Sequence, residues 1–326
     1  MTLVGTIGNA AMFWSVSYKL SDTLMLLTES GALHRLAATP ESADGLASDL
    51  GWHIEPLTRL LDLLVTAGVL DRSDARYSVP VATRAVLPVI LLEARMRQWH
   101  ATNQSLRAAL VTGKGANPLE HLSDDSFLTC YQAAMAASAR ALALHLFRYG
   151  GLSKDGLVLD IGGADGALVE QLASLMPTAS FRVIDRPVVR EHFVERMQKS
   201  DHATRCSFQC DDITHPEALL GQAASASSMV ISNVLHLLSG RQIEALLGSL
   251  KAAARTATRL VIYDQFMDAT RLDTSRVMVV DWVNLGVGFD LHEGELEEML
   301  RSFGYVSVSA RRFPALPGAL VCGTTP

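Results

Sequence analysis

The second half of the chain alternates short apolar runs with helical patterns, and this alternation constrains the fold more than any other feature. Seven runs have the length and composition of β-strands, at residues 157–161, 180–184, 206–210, 229–234, 259–266, 305–313 and 319–323. Helical periodicity separates most of them. Such alternation predicts a mostly parallel sheet with helices on both faces. The short link Leu316-Pro317-Gly318 suits an antiparallel hairpin of the last two strands.

The first half, up to about residue 150, shows helical periodicity instead. Between residues 39 and 79, a short helix, a glycine turn, a second helix and a two-stranded ribbon predict a winged helix-turn-helix. The second helix of this motif, at 54–64, carries one arginine against two acids, whereas the DNA major groove requires the opposite balance. Its many leucines favour a dimerisation module.

Composition excludes several classes of protein. The chain has 326 residues, of which 49% are hydrophobic, and this length suits two domains. Its apolar runs stop well short of the roughly 18 residues of a membrane helix, and no secretory pattern opens the chain, so we expect a cytoplasmic protein without a membrane partner. The net charge of -6 argues against a nucleic-acid partner. The four cysteines predict no disulfide framework, and Cys206 and Cys210 are expected to be buried free thiols.

The segment VLDIGGADGAL, at 158–168, passes from an apolar strand into a glycine-rich turn. Ligands of parallel sheets bind beyond the carboxyl ends of the strands, where this turn falls. A nicotinamide fingerprint would need glycine at the positions of Gly162, Ala164 and Ala167, and only the first is glycine. Glycines still let the backbone approach a ligand, while Asp160 suits a cationic amine better than a pyrophosphate.

Acidic residues stand at the ends of three successive predicted strands. Asp160 belongs to the first, Asp185 ends the second and Asp212 follows the third. A carboxylate at the second strand can accept both ribose hydroxyls of a nucleotide-like ligand. Asp212 would then reach an adenine amino group, and Ile213 would cover the face of the ring. Together with the glycine turn, these acids predict an adenosyl-binding site.

With the helix at 127–135 and the segment at 233–236, these residues resemble the class I S-adenosylmethionine-dependent small-molecule O-methyltransferases, a family with plant caffeate-type and bacterial antibiotic-tailoring members. The resemblance covers nearly the whole chain. It implies an α/β fold with a Rossmann-like seven-stranded sheet and an N-terminal, mostly α winged-helix domain. The implied parts are a dimerisation domain (1–100), a helical linker that contributes to the substrate pocket (101–150) and a catalytic domain (151–326), assembled as a homodimer.

The resemblance and the strand-end pattern also predict which residues act. The residues expected to bind S-adenosylmethionine are Asp160, Gly162, Asp185, Asp212, Ile213 and Ser232. His236 matches the general base of the family, because histidine can take a proton near neutral pH as a phenol or enol oxygen attacks the methyl group. Asp290 matches the acid that orients it. Met135, Asp281 and Trp282 are expected at the substrate pocket, although Asp281 equally fits the cap of a buried backbone group. No metal ion is expected.

The chain departs from the family at several positions. Leu237 and Leu238 stand where the family usually has aspartate and tryptophan, and Ser232 stands where it usually has lysine or arginine. The leading hypothesis is O-methylation of a small aromatic or enolic metabolite of secondary metabolism. Alternatives are methylation of carbon or nitrogen, or a hydroxylation, decarboxylation or cyclisation on the same fold. A DNA-binding regulator is the hypothesis from another class.

Overall fold

The computed structural model describes residues 10–266, 277–286, 291–313 and 318–326. The chain divides into two compact units, the first ending at Gln98 and the second beginning at Trp99. Residues 101–150, predicted as a linker, belong to the second unit. None of the described helices combines the length and hydropathy of a membrane span.

The first unit is helical apart from a small three-stranded sheet. Its helices are α1 (Ala10–Glu29), α2 (Ala32–Ala38), α3 (Ala43–Leu50), α4 (Ile54–Thr66), α5 (Val81–Ala85) and α6 (Leu87–Met96). Its strands are β1 (Glu41–Ser42), β2 (Asp71–Ser73) and β3 (Arg76–Ser78), in the antiparallel order β1-β3-β2. Ser42 caps α3 by accepting a hydrogen bond from Gly45, and Gly51 ends it in the left-handed conformation that glycine tolerates. The two helices and the ribbon of the predicted motif are therefore present.

The second unit contains the large sheet. Its strands are β4 (Gly156–Ile161), β5 (Ala179–Asp185), β6 (Cys206–Cys210), β7 (Ser228–Ser232), β8 (Arg259–Asp264), β9 (Val306–Arg312) and β10 (Ala319–Thr324). Its helices are α7 (Asn103–Thr112), α8 (Asp125–Ala136), α9 (Ala139–His145), α10 (Ala167–Leu175), α11 (Arg190–Gln198), α12 (Leu220–Ser225), α13 (Gly240–Ala253), α14 (Val279–Leu285) and α15 (Glu293–Ser302).

The strands lie in the order β6-β5-β4-β7-β8-β10-β9. Strands β4 to β8 pair in parallel, and β10 is antiparallel to both β8 and β9. The predicted seven-stranded sheet and its terminal antiparallel pair are thus confirmed, while the connection at 314–317 lies outside the described residues. The strand order reverses between β4 and β7, and a crevice for a ligand opens at such a reversal.

Burial follows position in the sheet. The central strands β4 and β7 are almost wholly buried, because helices pack on both faces. Strand β6 lies at the edge, so Cys210 is exposed and Cys206 only half-buried. Both are free thiols as predicted, but the expectation that they are buried is wrong, since one face of an edge strand is less covered than the sequence pattern suggests.

Candidate active site

A cavity of about 280 Å³ lies beyond the carboxyl ends of β4, β5 and β7. All six residues predicted to bind the cofactor line it: Asp160, Gly162, Asp185, Asp212, Ile213 and Ser232. Met135, predicted for the substrate pocket, lines it as well. The cavity stands at the reversal of strand order, where ligands of open α/β sheets bind.

The glycine-rich turn is held in a shape that few residues adopt. Gly162 has φ of +76°, and a Cβ at this position would lie 2.5 Å from Val234 Cγ2 on the neighbouring connection. Its amide donates to the carbonyl of Ile184 at 2.8 Å, which ties the turn to β5. Ala164 has φ of +51°, a left-handed conformation that is strained for alanine. Strain of this kind persists only where surrounding contacts enforce it.

Asp185 supplies that enforcement. Its Oδ2 accepts the amide hydrogen of Ala164 at 2.8 Å, and its Oδ1 accepts that of Arg186 at 2.7 Å. Burial raises the pKa of the carboxyl, and the two backbone hydrogen bonds oppose that rise. Each oxygen retains a second lone pair, so the carboxylate can accept ribose hydroxyls while it holds the turn.

Asp160 has the opposite environment. It is fully buried, and neither carboxylate oxygen has a hydrogen-bond partner in the described part of the chain. Burial, and secondarily the charge of Asp185, raises its pKa to about 7. A Cβ on Gly163 would overlap this carboxylate, so the turn folds over it only because position 163 is glycine. A buried carboxylate without a partner is costly, and a ligand amine would relieve the cost.

The turn after β6 contributes two acids. Asp212 Oδ1 accepts the amide and the hydroxyl hydrogens of Thr214, at 2.9 and 2.8 Å. The amide hydrogen bond of Thr214 is the main cause of a lowered pKa at Asp212. The neighbouring Asp211 also lines the cavity and was not predicted. Asp212 already accepts hydrogen bonds from its own turn. Asp211 can therefore accept a hydrogen bond from an adenine amino group as well as Asp212 can.

Helix α8 lines the cavity with residues that the sequence analysis did not assign. Tyr131 and Gln132 both face it, beside Met135. Burial and the charge of Asp185 raise the pKa of Tyr131 to about 12. Gln132 accepts the amide hydrogen of Asp165, at 3.2 Å, and so links α8 to the glycine-rich turn. The segment 127–135 was recognised as a motif, but three and four residue spacing alone does not show which side chains face a ligand.

His236 lies on a short 3-10 turn, Leu235–Leu237, that follows β7. Its Nδ1 is 2.7 Å from Oδ1 of Asp264, which is completely buried at the end of β8. The other oxygen of Asp264 accepts the amide hydrogens of Val234 and Leu235 at 3.1 and 2.8 Å. The carboxylate of Asp264 therefore holds both the backbone of this turn and the imidazole ring of His236. Because a carboxylate accepts, Nδ1 carries the hydrogen of this contact, and in a neutral ring Nε2 is then the basic nitrogen.

Asp264, the partner of His236, was not predicted from the sequence. Asp290, which was predicted to orient the base, lies outside the described residues. Asp264 lies within the strand predicted at 259–266, near its carboxyl end. The prediction extended this strand two residues too far, so the strand-end rule that selected Asp185 did not select Asp264.

The remaining predicted pocket residues lie on α14. Trp282 is buried, and its ring centroid is 6.4 Å from that of His236. Asp281 is half-buried and pairs with Nε2 of His100 at 2.8 Å, a partner that the sequence analysis did not consider. Among the residues described, no three or more His, Cys, Asp or Glu side chains cluster as a metal site would require.

The cavity lies where the strand order of a mostly parallel sheet reverses. A glycine-rich turn and the acids Asp160, Asp185 and Asp212 surround it. These features define an α/β enzyme that binds an adenosyl cofactor. The family described as the O-methyltransferase domain matches residues 107–306, and the chain belongs to this family. Asp185, which lines the cavity, and the buried Asp160, which has no hydrogen-bond partner among the described residues, fit S-adenosylmethionine, the cofactor of the family. The chain is therefore an S-adenosylmethionine-dependent O-methyltransferase.

Known relatives extend over both units. The mitomycin biosynthesis 6-O-methyltransferase of Streptomyces lavendulae is 24% identical over 296 residues, 85% of this chain and 82% of the relative. Demethylspheroidene O-methyltransferase of Cereibacter sphaeroides is 24% identical over 311 residues, 91% of this chain and 80% of the relative. The solved structure of CalO1, a methyltransferase in calicheamicin biosynthesis, in its SAH-bound form matches with a TM-score of 0.78 at 19% identity, over 100% of both chains.

Proposed function

We propose that this enzyme methylates a hydroxyl oxygen of a small aromatic or enolic metabolite in secondary metabolism, with His236 as general base. The mitomycin and calicheamicin relatives, which act in the biosynthesis of secondary metabolites, support the substrate class. The observation that carries the proposal is the hydrogen bond between His236 Nδ1 and Asp264 Oδ1. It leaves Nε2 as the nitrogen that takes a proton.

The residues divide the chemistry between them. When bound, S-adenosylmethionine supplies an electrophilic methyl group on its sulfonium. His236 removes the proton of the acceptor hydroxyl as the oxygen attacks, and Asp264 stabilises the imidazolium that results. Asp160 would hold the amino group of the cofactor, and Asp185 would hold its ribose hydroxyls. Asp212 and Ile213 would border the adenine.

A screen tests the reaction. Candidate phenols and enols are incubated with the enzyme and S-adenosylmethionine, formation of S-adenosylhomocysteine is measured, and the methylated atom is located by NMR. Stoichiometric S-adenosylhomocysteine and an O-methyl product are expected. A methyl group on carbon or nitrogen, or turnover without S-adenosylhomocysteine, would replace O-methylation by one of the alternatives.

Substitution of the base tests the role of His236. The variant His236→Ala should lose about a hundredfold to ten-thousandfold in methyl-transfer rate, the usual contribution of a positioned base. Its affinity for S-adenosylhomocysteine, measured by calorimetry, should be unchanged. His34→Ala removes an exposed histidine on α2 that does not line the cavity, and it serves as the control. Normal turnover of His236→Ala would leave proximity alone to explain catalysis.

The enzyme is further proposed to be a cytoplasmic homodimer that binds no nucleic acid. Helix α1 exposes large apolar side chains on its surface: Met12, Trp14, Tyr18 and Leu26. An exposed apolar stripe of this kind favours a contact with a second copy of the chain. Sedimentation should give a dimer at micromolar concentration, and Tyr18→Glu should shift it toward monomer, whereas a stable wild-type monomer would reject the dimer.

A further inference from the structure

His100 lies at the start of the second unit and is almost completely buried, with 4% of its surface exposed. Its Nδ1 is 2.7 Å from the carbonyl oxygen of Ala116, and its Nε2 is 2.8 Å from Oδ1 of Asp281. A carbonyl oxygen can only accept, so Nδ1 must donate. The side chain of Asp281 offers an acceptor oxygen to the other ring nitrogen, so His100 links this aspartate to the backbone at Ala116.

The segment around His100 packs closely along α14. Helix α7 begins just after His100 and packs on α14. Gly115, which follows α7, lies so close that a Cβ there would be 2.6 Å from Cα of Asn284. A Cβ on Gly286, at the end of α14, would be 2.8 Å from the carbonyl oxygen of Gly113. Gly115 and Gly286 thus allow the backbone after α7 to touch the backbone of α14. The bond from His100 to Asp281 is a second link between this segment and the helix.

Helix α14 in turn carries Trp282, the residue next to Asp281. The indole is 4% exposed, and its ring is tilted by 32° to that of His236 at 6.4 Å between centroids. The ring of His236 is thus held by Asp264 through Nδ1 and bordered by Trp282. A shift of α14 would move this border directly.

We propose that His100 is a positioning residue for methyl transfer: by holding Asp281 it fixes α14, and with it the indole of Trp282 against His236. This inference rests on the proposed function of His236 as the base. A base is effective only when it meets the acceptor proton in the right geometry, and displacements near 1 Å are enough to slow a reaction by orders of magnitude. His100 acts through two other residues and touches no reacting atom.

Two substitutions of His100 separate this role from simple core packing. In His100→Gln the side-chain amide takes the place of Nε2 and can still donate to Asp281, whereas in His100→Asn it takes the place of Nδ1 and can donate only to Ala116. With S-adenosylmethionine and the phenol identified by the screen, His100→Asn should lower kcat by about tenfold to hundredfold. His100→Gln should retain most of the activity, and the KM for the phenol should change less than kcat. Affinity for S-adenosylhomocysteine should be unchanged in both.

His121→Asn is the control. The rings of His100 and His121 both lie near the ring of Trp99, with centroid distances of 5.9 and 4.3 Å, but His121 does not take part in the bond from His100 to Asp281. Its kcat should stay near the wild-type value. Asp281→Ala, which leaves no side-chain acceptor for Nε2 of His100, should reproduce the loss of His100→Asn, and the double variant should lose little more, because both changes remove the same bond. Equal losses in His100→Gln and His100→Asn, or wild-type kcat in His100→Asn, would overturn the proposal.

A second measurement needs no acceptor. Diethyl pyrocarbonate modifies accessible histidines, and the rate of modification at His236 is followed by peptide mass spectrometry in the complex with S-adenosylhomocysteine. His100→Asn should raise this rate severalfold, and His100→Gln and His121→Asn should not. An unchanged rate in His100→Asn would show that His100 does not position His236, even where His236→Ala confirms the base. A normal rate of methyl transfer in His236→Ala would instead reject the proposed function.

Discussion

Two fully buried aspartates stand near the same crevice in opposite circumstances. Asp264, at the end of β8, receives hydrogen bonds from the amides of Val234 and Leu235 and pairs with the imidazole of His236. Asp160, at the end of β4, receives none among the described residues, and its pKa is raised to about 7. Both are inaccessible to water, so burial alone does not distinguish them. They differ in their hydrogen-bond partners.

The difference shows what each part of the site is prepared for. A satisfied buried carboxylate is preorganised and needs no ligand, which suits the orientation of a base. An unsatisfied one costs stability in the free enzyme and becomes favourable only when a cation arrives. Under the proposed function, the β8 side of the crevice would be ready for catalysis before the cofactor binds, whereas the β4 side would be completed by the cofactor.

Asp264→Asn should produce the largest effect. The amide is isosteric and can accept from Val234 or Leu235, but its NH₂ group would meet Nδ1 of His236 and impose the wrong tautomer. The methyl-transfer rate should fall by about a hundredfold to ten-thousandfold, with binding of S-adenosylhomocysteine preserved. Rapid-quench kinetics with the identified phenol would measure the rate of methyl transfer. Asp201→Asn, at an exposed aspartate, is the control. A rate near that of the wild type in Asp264→Asn would show that the hydrogen bonds of Asp264 do not matter for catalysis.

Asp160→Asn should change the pH dependence of stability in the free enzyme. The folded-state pKa of about 7 exceeds the ordinary value of 3.8. Between these values the unfolded chain has lost the proton and the folded chain retains it, so the free energy of unfolding falls as pH rises and levels off above about pH 7. The wild type should thus lose stability relative to Asp160→Asn, by on the order of 4 kcal/mol across this window.

Urea unfolding at a series of pH values measures that difference. The difference between wild type and variant should stop changing with pH below about pH 3, where the carboxyl is protonated in both states. A constant difference at all pH values would mean that Asp160 has a partner in the folded protein, and the comparison with Asp264 would fail.

The same substitution should weaken cofactor binding. Loss of a charged hydrogen bond to the amino group corresponds to about a tenfold to hundredfold decrease in affinity for S-adenosylmethionine. Calorimetry should also show wild-type proton release on binding near pH 7, because the cationic amine lowers the pKa of Asp160, and no such release in Asp160→Asn. Unchanged affinity in a folded variant would place the amino group elsewhere.

Asp212→Ala should have the smallest effect on stability, since its carboxylate is satisfied but half exposed. Loss of its bonds to Thr214 should cost about 0.5–1 kcal/mol in the free energy of unfolding. Its lowered pKa means that this contribution is present above the unfolded pKa and is lost as pH falls through the folded one. Thr214→Val, which keeps the amide donor, should cost less. A loss of about 3 kcal/mol or more in the free energy of unfolding, as expected when the partner of a buried charge is removed, would show that exposure does not rank these carboxylates.

Most of the fold followed from local patterns. The strand predicted at 206–210 has the observed limits, and the one predicted at 259–266 ends two residues earlier, at Asp264. Alternation of apolar strands and helices specifies a parallel sheet, because each element must bury its apolar face against another. Burial at the edge was overestimated for Cys210, since the sequence does not show which strand lies outermost.

The cofactor side of the site was equally accessible to sequence reasoning. Glycine at 162 and acids such as Asp185 at strand ends are local signals of a turn that approaches an adenosyl ligand. The sequence by itself therefore determined the α/β class, the position of the crevice and the type of cofactor. Each of these depends on backbone geometry and on the direction of strands, which short segments already encode.

Tertiary structure alone decided how the buried charges are paired. His236 meets Asp264 across 28 residues, and His100 meets Asp281 across 181 residues. Asp160 resembles Asp264 in the sequence, since each lies near the carboxyl end of an apolar strand. Among the described residues, however, Asp160 has no hydrogen-bond partner, whereas Asp264 accepts from several donors. Partners and burial arise from segments distant along the chain that meet only after the sheet and its helices have packed. Local periodicity does not show which distant residues come into contact, so the partners of these carboxylates could be assigned only from the tertiary structure.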